Sequence, residues 1–345
     1  MPVRVALSAL ALQPGGGGVS TYIRELLRAL PAAIDAEIVA AVQQDVVDTL
    51  PPDVTGRPFP VASGIRRAVA AFRPLGPVDL VHGLDATLPL RVRDPSVVTV
   101  HDLSVFDIPW TFSRRRAWGK RLQVRHAIRR ADAVIAVSEF TAARVREVLG
   151  RDAVVVPEAP PSDSAPATPE AIARVRRQYA LPDEFVLHVG TVEPRKDVAG
   201  LSSACERLDV PLVLAGGGTT GARVDARRLG YVAREHLNAL YGAATVVAYP
   251  SLYEGFGIPP LEAIACGAAV VATRVGALPE VLGDAAVLVA PGDVDALARA
   301  LRELLGDRGR RAELAAAGSS VLQRLSWEET AARTVDVYRS VGVPV

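Results

Sequence analysis

The sequence predicts an α/β protein built from two doubly wound, Rossmann-like domains facing across a cleft, and three observations carry that expectation. Short apolar runs of strand length alternate with helical patterns through both halves of the chain, the signature of parallel sheets covered by helices. A proline- and small-residue-rich stretch, Pro157-Glu-Ala-Pro-Pro-Ser-Asp-Ser-Ala-Pro-Ala-Thr-Pro169, separates the halves as a linker. The length, 345 residues, suits two domains of ordinary size. The expected division is residues 1–160, residues 161–325 and a terminal segment, 326–345.

In the first half the strand candidates are Val3–Leu10, Glu37–Val42, Val78–His82, Val97–His101, Ala133–Ser138 and Ala153–Pro157. In the second they are Phe185–Gly190, Pro211–Gly216, Leu229–Val232, Thr245–Pro250, Ala268–Thr273 and Ala286–Val289. The last stretch, from Ser326-Trp-Glu-Glu to Tyr338, reads as an amphipathic helix with Ser326 as N-cap and Glu329 completing a capping box. Its pattern alone leaves open which domain it joins.

Half the residues are hydrophobic, 22% are charged and 5% aromatic, as in a soluble Ala/Val/Leu-rich α/β protein. A formal net charge of +1 argues against a dedicated nucleic-acid binder. Cys205 and Cys266 lie beside apolar residues and are expected to be reduced core residues of a cytoplasmic protein. The apolar N-terminus is short and runs into a glycine cluster, so it reads as a first strand and not a signal peptide. No run reaches the ~18 apolar residues of a spanning helix.

The most informative segment is Tyr249-Pro-Ser-Leu-Tyr-Glu-Gly-Phe-Gly-Ile-Pro-Pro-Leu-Glu-Ala-Ile-Ala-Cys-Gly267. An apolar strand feeds into it, Pro259 and Pro260 suit the first turn of a helix, and Gly267 suits the residue past its end. Glu254 is therefore expected in the loop and Glu262 one to two turns into the helix. Such a corner offers amides and a positive dipole end to a phosphate. The two carboxylates accept hydrogen bonds from vicinal hydroxyls. A phosphate seat flanked by two hydroxyl clamps describes a nucleotide-sugar site.

The strand Phe185–Gly190 runs into Thr191-Val-Glu-Pro-Arg-Lys-Asp197, which puts Arg195 and Lys196 at the carboxyl edge of a sheet. A guanidinium fork beside an ammonium matches a diphosphate. The N-terminal Gly15-Gly-Gly-Gly18 precedes a helix, but the third glycine of a dinucleotide fingerprint is absent and Glu37 begins the second strand instead of ending it. These glycines are expected to form a flexible loop that brings backbone close to a ligand, the alternative being a plain tight turn. His101 ends an apolar strand, where it is either a satisfied core histidine or, at the carboxyl end of a parallel strand, a ligand-facing one; Asp102 either orients the ring or caps the next turn. The other histidines show no metal-ligand spacing and no DxD pair lies in a suitable loop, so no catalytic metal is expected.

Ser113–Arg130 carries Arg114, Arg115, Arg116, Lys120, Arg121, Arg125, Arg129 and Arg130 without an acidic residue, near Trp110, Phe112 and Trp118. It reads either as a solvated helix face or as a peripheral contact, through Arg114–Arg130, with an anionic membrane or lipid-linked acceptor.

With these motifs in order, the chain resembles the retaining GT-B glycosyltransferases of family 4. The spacing of Glu254 and Glu262, with seven residues between, is similar to that family's EX7E signature. Val100-His-Asp-Leu103, Val137-Ser-Glu-Phe-Thr141, Gly190-Thr-Val-Glu-Pro-Arg-Lys196, Ser251-Leu-Tyr-Glu-Gly-Phe-Gly257, Ala277-Leu-Pro-Glu-Val281 and Gly283-Asp-Ala-Ala286 follow the family's sequence of motifs across nearly the whole chain. The resemblance implies a transferase that moves a hexose, of mannose or glucose type, from a nucleoside diphosphate donor. The acceptor would be a hydroxyl in cell-envelope glycan, polysaccharide or glycolipid synthesis, and no cofactor is implied. It implies that His101, Arg195, Lys196 and Glu254 serve catalysis. The donor would meet Gly17, Gly18, Gly190, Thr191, Gly255, Phe256, Gly257, Ile258 and Glu262, with Glu262 on the ribose and Glu254 on the sugar. It also implies that the last helix crosses back to the first domain. Two departures stand out: Thr191 replaces an arginine found in several relatives, and Glu158-Ala159 replaces Asn-Gly after Pro157. The alternatives are a sugar-nucleotide epimerase and a non-catalytic nucleotide-sugar-binding protein. A pyridoxal-phosphate phosphorylase would need a lysine beyond Lys120 and Lys196, and the chain has none.

Overall fold

The computed structural model describes residues 2–71, 73, 75–90, 93–219 and 221–345. The described chain divides into two compact units, Met1–Glu158 with Ser326–Val345, and Ala159–Leu325.

The first unit holds seven strands, β1 (Arg4–Ser8), β2 (Glu37–Gln43), β3 (Val54–Phe59), β4 (Leu80–Gly83), β5 (Ser96–Val100), β6 (Ala133–Ala136) and β7 (Val154–Val155). They lie in the order β3-β2-β1-β4-β5-β6-β7, and every pairing is parallel. Central strands read as unbroken apolar runs because helices cover both faces. All five residues of β5 are buried. The edge strand β3 has no counterpart among the expected strands. Its sequence, Val-Thr-Gly-Arg-Pro-Phe, is half exposed and carries Gly56 and Pro58. Both residues disfavour a strand and are tolerated only at an edge.

The second unit holds β8 (Val186–Val189), β9 (Leu212–Ala215), β10 (Arg227–Gly230), β11 (Val246–Tyr249), β12 (Val270–Thr273) and β13 (Ala286–Val289), ordered β10-β9-β8-β11-β12-β13 and parallel throughout. The expected strand Leu229–Val232 is corrected to Arg227–Gly230. This edge strand is half exposed and polar, so no apolar run marks it.

Each sheet reverses direction of growth once, between β1 and β4 and between β8 and β11. Open α/β sheets bind ligands at the carboxyl ends of the strands flanking such a point. The loops after β8 and β11 are therefore neighbours, although some 58 residues apart in sequence.

The helix Trp327–Ser340 belongs to the first unit and packs on the helix Gly18–Ala33. Its N-cap Ser326 accepts from Glu329 N at 3.1 Å. Glu329 turns its carboxylate to Arg333, at 2.6 Å, so the hydrogen bond to Ser326 is the capping half that forms. A buried polar chain ties this helix to the sheet. Tyr338 Oη lies 2.7 Å from His82 Nδ1, His82 Nε2 lies 2.8 Å from Thr99 Oγ1, and Thr99 Oγ1 lies 3.0 Å from Tyr22 Oη. Thr330 Oγ1 donates to Pro157 O at 2.7 Å and anchors the far end of the unit.

Candidate active site

Along the sheet of the second unit, β8 ends in Gly190 and exposed Thr191. A single 3₁₀ turn, Pro194–Lys196, then delivers Arg195 and Lys196. Asp197 follows with φ 44° and caps the helix Val198–Leu208 by accepting from Gly200 N at 3.2 Å. Across the switch point, β11 ends in Tyr249-Pro250 and the loop that carries Glu254.

The two loops lock together at Glu254. Lys196 Nζ donates to Glu254 Oε1 at 2.5 Å, and Arg195 Nη1 donates to Glu254 Oε2 at 3.1 Å. Ser251 Oγ adds a third donor at 2.6 Å. Arg195 also donates to Tyr253 O at 2.9 Å and to Glu193 Oε1 at 2.9 and 3.1 Å, while Leu252 N returns to Arg195 O at 2.8 Å. Burial raises the pKa of the Glu254 carboxyl, but the adjacent charges of Lys196 and Arg195 outweigh it and take the group to about 2. Glu254 is thus a firmly held anion and Lys196–Arg195 a fixed cationic pair.

Beneath them, His188 is buried, with Nδ1 2.9 Å from Ala248 O and Nε2 without a hydrogen-bond partner. Burial first, and then the Lys196 charge, lower its pKa to about 4, so the ring stays neutral. Gly276 backs the Glu254 loop: a Cβ there would stand 2.0 Å from Glu254 O, and its φ of +55° suits glycine. The neighbouring Ala277 N donates to Glu254 O at 3.0 Å.

The helix Ile258–Ala265 follows, with Gly257 as its N-cap residue at φ 115°. Gly255, Phe256, Gly257 and Ile258 are all buried. Pro259 and Pro260 have no N–H, so the amides at this helix start belong to Gly257 and Ile258. Glu262 is buried on the helix and forms a second cluster, apart from Glu254. Tyr241 Oη donates to Glu262 Oε2 at 2.9 Å, and the Arg234 guanidinium closes on Oε1.

The remaining expected site residues lie in the first unit. Gly17 is the N-cap residue and Gly18 the first residue of the helix Gly18–Ala33. Gly17 is exposed and Gly18 half-buried, and neither has an atom within 4 Å of where a Cβ would sit. Both ring nitrogens of His101 are engaged, Nδ1 with Glu158 Oε1 at 2.9 Å and Nε2 with Leu84 O at 2.8 Å. Two acceptors require both nitrogens to carry protons. Burial lowers the pKa of the ring, yet the hydrogen bond and charge of Glu158, with the Leu84 carbonyl and Asp85, outweigh it and hold the pKa above the usual value. Glu158, the departure noted after Pro157, is therefore the partner that orients this ring. Asp102 takes the other role expected of it and caps the next turn, accepting from Ser104 N at 2.9 Å and Ser104 Oγ at 2.6 Å.

Sequence reasoning missed Ser251, Gly276 and Arg234. Arg234 had a signal: it is the first residue of the helix Arg234–Ala243, where the dipole disfavours a cation. Cys205 and Cys266 are free and buried, and burial pushes both thiols up to about 12. In the basic helix Arg114–Arg130, Arg121 and Arg125 lie over the Phe106 ring and Lys120 Nζ is 3.4 Å from Asp85. Arg114, Arg115 and Arg116 are exposed, with Trp110 and Trp118 beside them at 71% and 68% exposure. Among the described residues no group of three metal-ligating side chains occurs, and no helix is long and apolar enough to cross a membrane.

Two parallel doubly wound sheets, the second with its charged loops at the switch point, define a GT-B fold. The family model "Glycosyltransferase Family 4" matches residues 16–159, and "Glycosyl transferases group 1" matches residues 172–321. The O-antigen chain mannosyltransferase B of Escherichia coli is 33% identical over 284 residues, covering 75% of this chain and 74% of that protein. Among solved structures, sucrose-phosphate synthase from Thermosynechococcus elongatus superposes with a TM-score of 0.78 at 24% identity, covering 98% of this chain and 99% of that one. Anabaena HepE in complex with UDP-glucose gives a TM-score of 0.78 at 20% identity, covering 98% and 99%. The chain belongs to the family 4 glycosyltransferases, and it is a transferase enzyme.

Proposed function

We propose that this glycosyltransferase moves a hexose, with retention of anomeric configuration and without a metal ion, from a nucleoside diphosphate sugar to a hydroxyl of a growing glycan. One observation carries the reading: Arg195, Lys196 and Glu254 converge from the two loops at the switch point of the second sheet. The similarity to O-antigen chain mannosyltransferase B favours mannose as the hexose and an envelope glycan as the acceptor.

The chemical problem is heterolysis of the anomeric C–O bond, which builds positive charge on the sugar ring and negative charge on the departing diphosphate. Lys196 uses one N–H on Glu254 and has two more to direct at phosphate oxygens. Arg195 adds a fixed charge from behind. Preorganised cations aimed at developing anionic charge lower the barrier without a metal. Glu254, held near a pKa of about 2 and gripped by Ser251, Arg195 and Lys196, is a weak base and a poor nucleophile. It therefore serves to orient sugar hydroxyls, and the acceptor attacks from the face the leaving phosphate has vacated. That phosphate takes the acceptor's proton. Glu262 is assigned to the ribose hydroxyls, the Gly255–Ile258 backbone with Gly190 and Thr191 to the donor, and Gly17, Gly18 and His101 to substrate binding. The exposed Arg114–Arg116 and Trp118 surface is assigned to a cytoplasmic, peripheral contact with an anionic lipid-linked acceptor.

The test combines donor and residue. Among GDP-mannose, UDP-glucose, UDP-GlcNAc and dTDP-rhamnose, one should support transfer, with the product anomer matching the donor by NMR. Lys196→Ala should lower turnover by roughly 10²–10³-fold with the fold intact, and EDTA should leave the rate unchanged. Inversion of the anomer, parental turnover of the variant or loss of activity in EDTA would each overturn its part of the proposal.

A further inference from the structure

Glu262 does not stand alone. Its carboxylate is buried, with Tyr241 Oη on Oε2 and the Arg234 guanidinium on Oε1. Arg234 opens its helix, a position at which the dipole repels a cation, so something outside the helix must hold it there. The linker does so. Arg234 Nε donates to Asp163 Oδ2 at 2.9 Å, Nη2 donates to Asp163 Oδ1 at 2.5 Å and to Ser164 Oγ at 3.1 Å. One turn further along the helix, Asn238 Nδ2 donates to Asp163 O at 2.7 Å and fixes the linker backbone. Arg234 therefore presents a planar fork pinned on one edge by Asp163, with its remaining nitrogen directed at Glu262.

We propose that Arg234 is a positioning residue for Glu262. A carboxylate taken out of water needs a partner charge to remain ionised, and a flexible glutamate needs a second contact to fix its rotamer. Arg234 supplies both, and Asp163 sets the angle of the fork. Tyr241 donates to Oε2, while Arg234 pairs its charge with Oε1, which accepts no hydrogen bond. The acceptor capacity this leaves on the carboxylate suits the neighbouring hydroxyls of a vicinal diol, the chemistry of a nucleotide ribose. This inference rests on the assignment of Glu262 to the ribose, and the experiment separates the two.

Affinity is measured by calorimetry for UDP and GDP and for their 2′-deoxy counterparts, with the tighter-binding base carried forward, alongside donor KM and kcat and the melting temperature. The native enzyme should prefer the ribonucleotide, and Glu262→Gln should abolish that preference. Arg234→Gln should lose it as well, by roughly tenfold, the effect of losing one buried ion pair. Donor KM should rise with kcat little changed. Arg234→Lys keeps the charge without the fork and should fall between. Asp163→Asn, which leaves Glu262 and Arg234 in place, should weaken the preference by about threefold. If Glu262→Gln loses the ribose preference while Arg234→Gln keeps it, the positioning role fails and the ribose assignment stands. If Glu262→Gln keeps it, the assignment itself fails and the positioning role with it. Should Arg234→Gln not fold, parental ribose preference in both Arg234→Lys and Asp163→Asn overturns the inference.

Discussion

Replacing Gly276 with alanine tests the geometry around Glu254 more sharply than removing any charge. The new Cβ would lie 2.0 Å from Glu254 O, 3.0 Å from its carbonyl carbon and 3.1 Å from its nitrogen. The obstruction is backbone and cannot rotate aside, so the Glu254 carbonyl has to retreat by about 1 Å to reach even a tight contact. The left-handed φ of +55° adds roughly 1–2 kcal/mol for a residue with a Cβ. Loss of the Ala277 N–H to Glu254 O hydrogen bond adds about 1 kcal/mol. Together these come to roughly 2–3 kcal/mol, or a fall of about 5–10 °C in the melting of the Ala159–Leu325 unit. A shift of about 1 Å in a positioning group lowers turnover on the order of 10²-fold. Thermal melts by circular dichroism and steady-state transfer assays read both effects. Gly306→Ala is the control, because it ends a helix with nothing within 4 Å of its Cβ, and should stabilise by ~0.5 kcal/mol. A Gly276→Ala protein that melts within about 2 °C of the parent and keeps its turnover would refute the close approach.

Other outcomes follow from the same structure. Tyr338→Phe strips the partner from His82 Nδ1 in a buried site and should destabilise the first unit by ~1–3 kcal/mol, read from urea midpoints; a change below ~0.5 kcal/mol counts against the buried chain. Acid should weaken the fold in two stages. Burial lowers the His82 pKa to about 3 and the His188 pKa to about 4, so the unfolded chain takes two protons below about pH 6.5 that the folded one refuses, and stability declines from there toward pH 3. Glu254 adds a further loss between its ordinary carboxylate value of 4.5 and about 2, and a flat urea midpoint from pH 6.5 to 5 would count against both buried neutral histidines. His101 runs the opposite way: its raised pKa stabilises fully below about 6.5 and is lost as the pH climbs through the folded value. Glu158→Gln should therefore lower the His101 pKa, followed by the ring proton shifts in NMR, and an unmoved titration would show that Glu158 does not set it.

Much of the second unit was legible because its signals are local. The apolar run into β11, the Pro259–Pro260 helix start and Gly267 after its end placed Glu254 in a loop and Glu262 on a helix, and both lie there. Local rules failed at the sheet edges. β3 and β10 bury too little surface to select apolar residues, and Gly56 and Pro58 in β3 argue against a strand. They failed again at Arg234, where the helix start argues against a cation that distant carboxylates hold.

What the sequence determined by itself was the alternation of strand and helix, the parallel class of the sheets and the motifs that mark the family, since periodicity, turn chemistry and motif spacing act over a few residues. The tertiary structure alone decided partners. It turned Arg195 and Lys196 onto Glu254, set Glu158 against His101, and closed Arg234 between Asp163 and Glu262. It also seated the last helix on Gly18–Ala33, where an apolar stripe would have suited any hydrophobic face. Each of these contacts joins residues far apart in the chain, and the energy that selects among them comes from burial and charge pairing, which local pattern does not encode.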